Sequence, residues 1–232
     1  IAAGDYLKKV YPKSKIAASE ALQCPTIYEN GFGAHRIEGI GDKHIPWIHN
    51  VKNTDVAIAI DDEAAMNFIR LANEKEGISL LKEKGVKQDV IDKLPLIGIS
   101  GAANILGAIK YAKYFELKQD DIVVTILTDS MDMYESRIKE LNEEHGAFTK
   151  TDAHVANARY IDGIEIDYIK ELNYYDRKAV HNLKYYTWIE QQGKTYEEII
   201  AQWEDDEYWT QIPKQADKLD RLINEFNDMV KK

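Results

Sequence analysis

Apolar positions along the first 130 residues follow two alternating patterns. Segments in which apolar residues recur every three or four positions, as on the buried face of a helix, alternate with short continuous apolar runs. Such runs are typical of strands buried between two helix layers. The runs lie at residues 16–18, 56–60, 96–99 and 122–127. Strands that alternate with helices predict crossover connections, and therefore an α/β fold with a mostly parallel sheet and helices on both faces.

Local signals place several helix ends within this region. A short N-terminal helix is predicted to end near Pro12, and Asp61 or Asp62 can cap the helix that follows the second apolar run. Residues 78–93 resemble an inserted helical hairpin that is broken at Gly85.

The composition changes after about residue 150, where the chain becomes rich in tyrosine, tryptophan and charge and shows no convincing strand. A helix is predicted from Val180 to Gln192, and a capping box of Thr195 and Glu198 predicts the start of the next. We therefore predict an α/β region at residues 1–150 and a helical C-terminal extension at residues 151–232.

The last predicted helix carries an apolar stripe, which we call the terminal stripe. Its members are Leu219, Leu222, Ile223, Phe226, Met229 and Val230. We expect this stripe to pack against the α/β region or a second subunit, because burial of large apolar side chains is favourable and the acidic surroundings disfavour a membrane surface.

Charge and composition exclude several classes of protein. Thirty Lys and Arg against forty Asp and Glu give a net charge of −10, the wrong sign for a general nucleic-acid binder. No run of about 18 apolar residues is present, which argues against a transmembrane helix. The single cysteine, Cys24, permits neither an intrachain disulfide nor a cysteine-based zinc site. The six histidines show no metal-ligand spacing, so we expect no metal. A single cysteine fits a reducing compartment, so we expect a cytoplasmic protein. Taken with the charge and the lack of a long apolar run, we expect neither a membrane nor a nucleic-acid partner.

Three segments could hold a ligand, because each follows a predicted strand at the edge where open α/β sheets bind ligands. They are the glycine-containing loop at residues 31–49, the strand-to-helix turn Gly98–Ala103, and Thr128–Ser130. No nucleophile elbow, P-loop or dinucleotide fingerprint is present to suggest a different site. The alternative interpretation is that all three are merely loops that require small residues.

The order of these segments carries a resemblance to a known family. The motifs are C-P at 24–25, E-G-I-G at 38–41, D-E-A at 62–64, G-I-S-G-A-A at 98–103 and I-V-V followed by D-S at 122–130. In this order they resemble the C-terminal half of the fold-type II pyridoxal-phosphate enzymes, the cysteine synthase and tryptophan synthase β-like family. The tail is similar to that of the longer cysteine synthase-like group of β-subunit type.

The resemblance implies a pyridoxal 5'-phosphate cofactor and an amino-acid substrate that undergoes β-elimination or β-replacement. It assigns Ser130 to the pyridine nitrogen of the cofactor. It further implies cofactor-binding positions at Gly39, Gly41, Ser100 and Gly101, and a substrate-side loop at Asp42, Lys43 and His44. Thr128 and Met131 depart from the family, which has a proline and a small residue at these positions.

The resemblance also implies that part of the enzyme is missing from this chain. In the family, the Schiff-base lysine and the phosphate-binding loop lie in the N-terminal half, so we expect both upstream of Ile1 and no catalytic residue here. Lys43 does not lie in the family's lysine motif. The expected partners are the missing N-terminal half and a second copy in a homodimer. The alternative is a non-catalytic fragment, or a subunit of a split enzyme that binds a partner chain.

Overall fold

A computed structural model describes residues 2–231 as an α/β protein with a small mixed sheet. The chain divides into two compact units. The sheet unit contains residues 15–43 and 54–173, and the helical unit contains residues 2–14, 44–53 and 174–231. The division into residues 1–150 and 151–232, which rests on composition, stays a prediction about the whole protein.

The sheet unit contains three strands and seven α-helices among its described residues. The strands are β1 (Ala17–Ala21), β2 (Val56–Ile60) and β3 (Ile169–Glu171). The helices before residue 95 are α2 (Thr26–Glu29), α3 (Asp62–Asn73), α4 (Lys75–Glu83) and α5 (Gln88–Ile91). The later helices are α6 (Ile99–Tyr114), α7 (Glu135–His145) and α8 (Lys150–Asn157), the last continued by a π-helical segment at Ala158–Asp162.

The sheet has the strand order β1-β2-β3. Strands β1 and β2 pair in parallel, with Ala17 opposite Val56, whereas β2 and β3 pair antiparallel, with Ile58 opposite Ile169. All five residues of β2 are buried, as the continuous apolar run predicts. The third strand is a correction, because it lies in the tail where the sequence showed no convincing strand.

Two predicted strands are absent from the described sheet. At the first of these, residues 94–96 form a 3-10 turn and Ile99 already begins α6. Pro95 has no N–H group to donate to a strand ladder, and the Gly98 N–H donates to the carbonyl oxygen of Asp129. Residues 122–127, whose pattern is the clearest strand signal in the chain, form no ladder with any described strand. A strand-like pattern becomes a strand only where a neighbouring backbone supplies hydrogen bonds.

Strands β1 and β2 lead into α2 and α3. Asp61 caps α3 as predicted, because its side chain accepts a hydrogen bond from the Glu63 N–H. Glu20 in β1 is buried, and its carboxylate accepts hydrogen bonds from the N–H groups of Ile27 and Tyr28 in α2. Burial raises the pKa of Glu20 to about 7.

The helical unit consists mainly of helices and connecting segments. Its α-helices are α1 (Ala2–Val10), α9 (Tyr174–Asn182), α10 (Tyr196–Glu204), α11 (Tyr208–Gln211) and α12 (Ala216–Val230). A π-helical segment at Tyr185–Ile189 interrupts the helix that was predicted from Val180 to Gln192. The predicted capping box of Thr195 and Glu198 is confirmed.

The terminal stripe is exposed in this chain. Its six side chains lie in α12, and between 50% and 69% of each is accessible to solvent. Packing of the stripe on the α/β region therefore stays a prediction, as does packing on a second subunit. The sequence periodicity identified the apolar face correctly, but periodicity carries no information about the surface that covers it.

We expect the helical unit to lose stability as the pH falls from 6.5 to 4. His49 and His181 are both buried, and burial together with the nearby Lys184 charge lowers the pKa of each to about 4. The unfolded chain therefore binds protons in this window that the folded unit does not, so folding becomes less favourable. Together, the two lowered pKa values correspond to a loss on the order of several kcal/mol in the free energy of unfolding.

Urea unfolding followed by tryptophan fluorescence at pH 7.5, 6 and 5 measures this effect. The variant His181→Gln removes one titrating group while keeping a donor for the Ile199 carbonyl, to which the His181 ring bonds at 3.1 Å. It should show a clearly smaller loss of stability at pH 5. An equal loss in both proteins would contradict the assignment.

Candidate functional site

The three segments singled out in the sequence meet in the sheet unit. A Cβ atom built on Gly39 would lie 3.6 Å from the Cβ atom of Ser100, so the loop backbone lies against the first turn of α6. The hydroxyl groups of Ser100 and Thr128 hydrogen-bond to each other at 2.9 Å. Ser100 is buried. Gly39, Ser100 and Thr128 therefore form one cluster, which we call the three-loop cluster.

Asp129 connects the last segment to the start of α6. Its backbone oxygen accepts a hydrogen bond from the Gly98 N–H at 3.1 Å, and its carboxylate accepts one from the Tyr134 hydroxyl. That hydrogen bond raises the pKa of Tyr134 to about 12. The other carboxylate oxygen, Oδ1, is buried without a hydrogen-bond partner among the described residues. Among the described residues, the site therefore contains one acceptor without a hydrogen-bond donor.

Glycine is required at two positions of the loop. Gly39 and Gly41 have φ values of 90° and 82°, in the region that side chains with a Cβ atom rarely adopt. A Cβ atom at Gly41 would also lie 3.1 Å from both Ala21 Cβ and His35 Nε2. The His35 ring bonds to the Gly41 carbonyl at 2.5 Å, which fixes the turn.

Ionic contacts anchor the same loop to two helices. The backbone N–H of Arg36 donates to Asp62 Oδ2 at the start of α3, at 2.7 Å. The guanidinium group of Arg36 pairs with the carboxylate of Glu144 in α7, at 3.2 Å. The neighbouring Glu38 pairs with Arg137, also in α7. These anchors were not anticipated from the sequence, since isolated charges on a loop and on a distant helix face carry no pairing signal.

Ser130 lies half-buried beside the cluster. Its hydroxyl donates to Asp132 Oδ2 at 3.1 Å. The following residue, Met131, is buried, so the larger side chain that departs from the family pattern is accommodated inside the fold. Because a hydroxyl group has a single proton to donate, Ser130 must release Asp132 before it can donate to another acceptor.

The predicted substrate-side residues do not all lie in one unit. Asp42 and Lys43 are exposed at the end of the loop in the sheet unit, and the Asp42 carbonyl accepts a hydrogen bond from the Thr26 hydroxyl at 2.7 Å. His44 is half-buried and belongs to the helical unit. Gly101 lies in the first turn of α6 next to Ser100, and a Cβ atom there would lie 3.2 Å from Leu127 Cδ2.

The part of the chain that the structure describes contains neither a metal-binding cluster nor a membrane-spanning helix. No group of three or more His, Cys, Asp or Glu side chains there is placed to hold a metal ion. No helix within residues 2–231 has the length and apolar character needed to cross a membrane.

Known proteins that are similar to this chain point to one enzyme family, although no family model matches. A cysteine synthase of Staphylococcus aureus is 32% identical over 131 residues, which are 56% of this chain and 36% of that protein. Cysteine synthase B of Campylobacter jejuni is also 32% identical, over 56% of this chain and 37% of that protein. A cystathionine beta-synthase of Saccharomyces cerevisiae is 24% identical, over 56% of this chain and 23% of that protein.

These relatives confirm the predicted resemblance, so the chain contains a cysteine synthase-like region. The region spans 36% of the length of the Staphylococcus aureus relative, well under half.

Proposed function

We propose that the sheet unit is a cofactor-binding part of a pyridoxal-phosphate enzyme that acts on an amino acid by β-elimination or β-replacement. The observation that carries this proposal is the three-loop cluster, in which Gly39, Ser100 and Thr128 come together although they are widely separated in the sequence. These are the segments whose order resembles the cysteine synthase family. On this proposal the small mixed sheet is part of a larger, mostly parallel fold-type II sheet with helices on both faces.

The residues present fit a flat, polar cofactor. Gly39 and Gly41 give the loop a backbone path that residues with a Cβ atom rarely adopt, and this path is proposed to present the loop backbone to the ring. The buried oxygen of Asp129 has no hydrogen-bond partner among the described residues, and the Ser130 hydroxyl lies in the next residue of the chain. Ser100 and Gly101 add a small, partly polar floor from α6.

Pyridoxal phosphate, when bound, supplies the electron withdrawal that labilises bonds at the amino-acid Cα atom. The chain's own contribution is to hold the ring and set its protonation. The Ser130 hydroxyl would turn away from Asp132 and donate a hydrogen bond to the ring nitrogen while keeping its proton. A neutral hydroxyl donor leaves that nitrogen unprotonated, which moderates electron withdrawal and favours β-elimination or β-replacement.

The loop after Gly41 faces the substrate side in this proposal. Asp42 and Lys43 are exposed there and carry opposite charges, so they suit a substrate with both a carboxylate and an amino group. His44 is the third residue proposed for this loop.

The isolated chain is proposed to be inactive. In the family that the chain resembles, the lysine that binds the cofactor covalently lies in a region that has no match in these residues. The complete enzyme is proposed to be a cytoplasmic homodimer. The exposed apolar segment at residues 122–127 favours a second candidate, in which the chain is one subunit of a split enzyme and needs a partner chain. Both candidates predict that this polypeptide alone does not turn over substrate.

The first prediction is that pyridoxal phosphate forms no stoichiometric lysine adduct with the chain. The measurement is the visible spectrum during titration, followed by borohydride reduction and peptide mapping. We expect substoichiometric labelling spread over several exposed lysines. A single stoichiometric adduct on Lys43 or another lysine, accompanied by turnover of serine derivatives, would contradict the proposal.

A second prediction concerns Ser130 in the complete enzyme. Ser130→Ala should lower turnover of the amino-acid substrate by at least tenfold, because the ring nitrogen loses its donor, with little change in the unfolding midpoint. The matched control is Ser136→Ala, which removes an exposed hydroxyl in α7. Equal turnover in the two variants would remove Ser130 from the site.

A further inference from the structure

Helix α7 contacts residues 36–41, which we call the glycine loop, at two points of opposite charge. Glu38 of the loop pairs with Arg137 of the helix. Arg36 of the loop pairs with Glu144 of the helix at 3.2 Å. Arg137 and Glu144 are seven residues apart, so they lie on one face of the helix and about 10 Å apart along its axis. The loop therefore lies along α7, and each of its two charges faces a helix charge of the other sign.

The positions of these two helix charges are not explained by the stability of α7 itself. Arg137 is in the first turn of the helix and Glu144 is in the last turn. The helix dipole favours the opposite arrangement, with negative side chains at the N-terminus and positive side chains at the C-terminus. The Arg137 guanidinium also pairs with Glu140 at 2.7 Å, so it bridges its own helix and the glycine loop. Contact with the loop gives both charges a partner of opposite sign.

The same turn of α7 also holds the other side of the three-loop cluster. Tyr134 directly precedes the helix, and its hydroxyl donates to the Asp129 carboxylate. The Arg137 N–H donates to the Tyr134 carbonyl oxygen at 3.0 Å, which ties the two side chains to one helical turn. Asp129 directly precedes Ser130 in the chain. One turn of helix is therefore connected to the glycine loop on one side and to Ser130 on the other.

We propose that Arg137 and Tyr134 are positioning residues of the candidate site. Arg137 acts through Glu38 and sets the position of the glycine loop. Tyr134 acts through Asp129 and sets the position of Ser130. The inference rests on the proposed function for the identity of the ligand, pyridoxal phosphate, which neither side chain needs to touch. Holding both sides at a fixed separation matters because a misplacement of about 1 Å at a site can lower turnover strongly.

Hydrogen-deuterium exchange with mass spectrometry on the full chain tests the Arg137 contact without any cofactor. Two amides of the glycine loop report its opening. The Arg36 N–H donates to Asp62 Oδ2 at 2.7 Å, and the Glu38 N–H donates to the Arg36 carbonyl oxygen at 3.1 Å. The variants are Arg137→Ala, Glu38→Ala and the two combined.

The matched control is Lys139→Ala, which removes an exposed lysine that pairs with Glu143 of the same helix at 3.8 Å. We expect Arg137→Ala and Glu38→Ala each to lower the protection of the two loop amides by at least about threefold, the upper range for a partly exposed ion pair. Lys139→Ala should leave this protection within about 1.5-fold of the unmodified chain. The double variant should lose no more than the more affected single variant, because the two substitutions remove one contact.

Tyr134→Phe tests the second contact. The Gly98 N–H donates to the Asp129 carbonyl oxygen at 3.1 Å, so its exchange reports the position of Asp129. We expect this variant to lower the protection of the Gly98 amide and to leave the glycine loop unchanged, whereas Arg137→Ala should do the reverse. Loss of protection throughout the sheet unit in either variant would indicate general destabilisation and would contradict a local positioning role.

Turnover of the complete enzyme tests whether these positions matter for the site. Arg137→Ala and Tyr134→Phe should each lower kcat at saturating pyridoxal phosphate and substrate by at least about fivefold, at a temperature well below the unfolding midpoint. A merely structural role would lower that midpoint and leave kcat unchanged. If the complete unmodified enzyme does not bind pyridoxal phosphate, the proposed function fails while the exchange results on the chain stand, so the two failures are distinguishable.

Three results would overturn the proposal. The first is equal protection of the glycine loop in Arg137→Ala and Lys139→Ala. The second is an additive loss of protection in the double variant, which would show that Glu38 and Arg137 act independently. The third is an unchanged kcat in a variant whose loop has lost protection.

Discussion

Replacing Lys184 by methionine is expected to lower the free energy of unfolding of the helical unit by about 3 kcal/mol at pH 7. The Lys184 side chain is fully buried, and its ammonium group donates to the backbone oxygens of Trp47 at 3.0 Å and His49 at 2.8 Å, and to the side-chain oxygen of Gln202. Methionine has a similar length but no donor. The variant therefore leaves these acceptors buried and unsatisfied.

The size of the Lys184 effect depends on two opposing terms. Burying an ammonium group without an anionic partner is costly, which is why burial lowers the pKa of Lys184 to about 7 from an ordinary value of 10.5. Removing the charge recovers that cost, but each abandoned acceptor costs about 1–3 kcal/mol. Because three acceptors are abandoned together, we expect the loss to exceed the gain.

The pH dependence separates these terms. The folded-state pKa of Lys184, about 7, lies below the unfolded value of 10.5, so the unfolded chain binds the extra proton between these pH values. The stability of the unmodified protein therefore rises with pH across this window. The methionine variant lacks the rise, so the difference between the two proteins should widen from pH 7 to pH 10.

Tryptophan fluorescence during urea unfolding reports this unit selectively. All four tryptophans of the chain, Trp47, Trp188, Trp203 and Trp209, belong to the helical unit. The matched control is Lys194→Met, which removes a partly exposed lysine paired with Glu198 at 3.1 Å in the same unit. An exposed pair of this kind is worth less than about 1 kcal/mol. Equal midpoints for the two variants would show that the Lys184 contacts contribute little.

Replacing Gly98 by alanine is expected to disrupt the candidate site and to destabilise the sheet unit by about 2 kcal/mol. A Cβ atom at Gly98 would lie 2.7 Å from Asp129 Cγ and even closer to the carboxylate oxygen Oδ1. The carboxylate must move, and the hydrogen bond that it accepts from Tyr134 must lengthen or break. Because Asp129 lies between Thr128 and Ser130, this movement is transmitted to both.

The control for Gly98→Ala lies in the same helix. At Gly107, an added Cβ atom would approach Ser19 Oγ at 3.2 Å, which requires only a small adjustment of a side-chain end. Alanine also gains about 1 kcal/mol of helix propensity over glycine within a helix, so Gly107→Ala should be close to neutral. Circular dichroism during thermal unfolding compares the two variants, and turnover of the complete enzyme measures the effect on the site. A neutral Gly98→Ala would show that the Asp129 contact is not required.

Much of the local structure followed from residue order alone. The buried run Val56–Ile60 forms the central strand, Asp61 caps α3, and Thr195 with Glu198 forms a capping box. Gly85 separates α4 from α5 with a φ value of 85°. The cap, the capping box and the turn at Gly85 depend on groups within a few residues of one another, which is why a sequence pattern is sufficient to predict them. The apolar run of the strand is also visible in the sequence, but its pairing with β1 and β3 joins distant segments.

The candidate site was predictable as segments but not as contacts. Sequence order indicated the three segments that contain Gly39, Ser100 and Thr128. The hydroxyl pair of Ser100 and Thr128 and the ion pair of Glu38 and Arg137 join residues 28 and 99 positions apart, and no local pattern encodes such pairings.

The amino-acid sequence by itself determined the α/β class, the central strand, the family resemblance and the apolar faces of this protein. Only the tertiary structure decided which of those faces are covered. Residues 122–127 and the terminal stripe have apolar patterns as clear as that of β2, yet they remain exposed. Lys184 is buried, although a charged side chain is normally expected at the surface. An apolar or hydrogen-bonding pattern indicates that a surface is stabilised by contact with another surface. The position of that second surface depends on the fold of the rest of the molecule, which the local pattern does not encode.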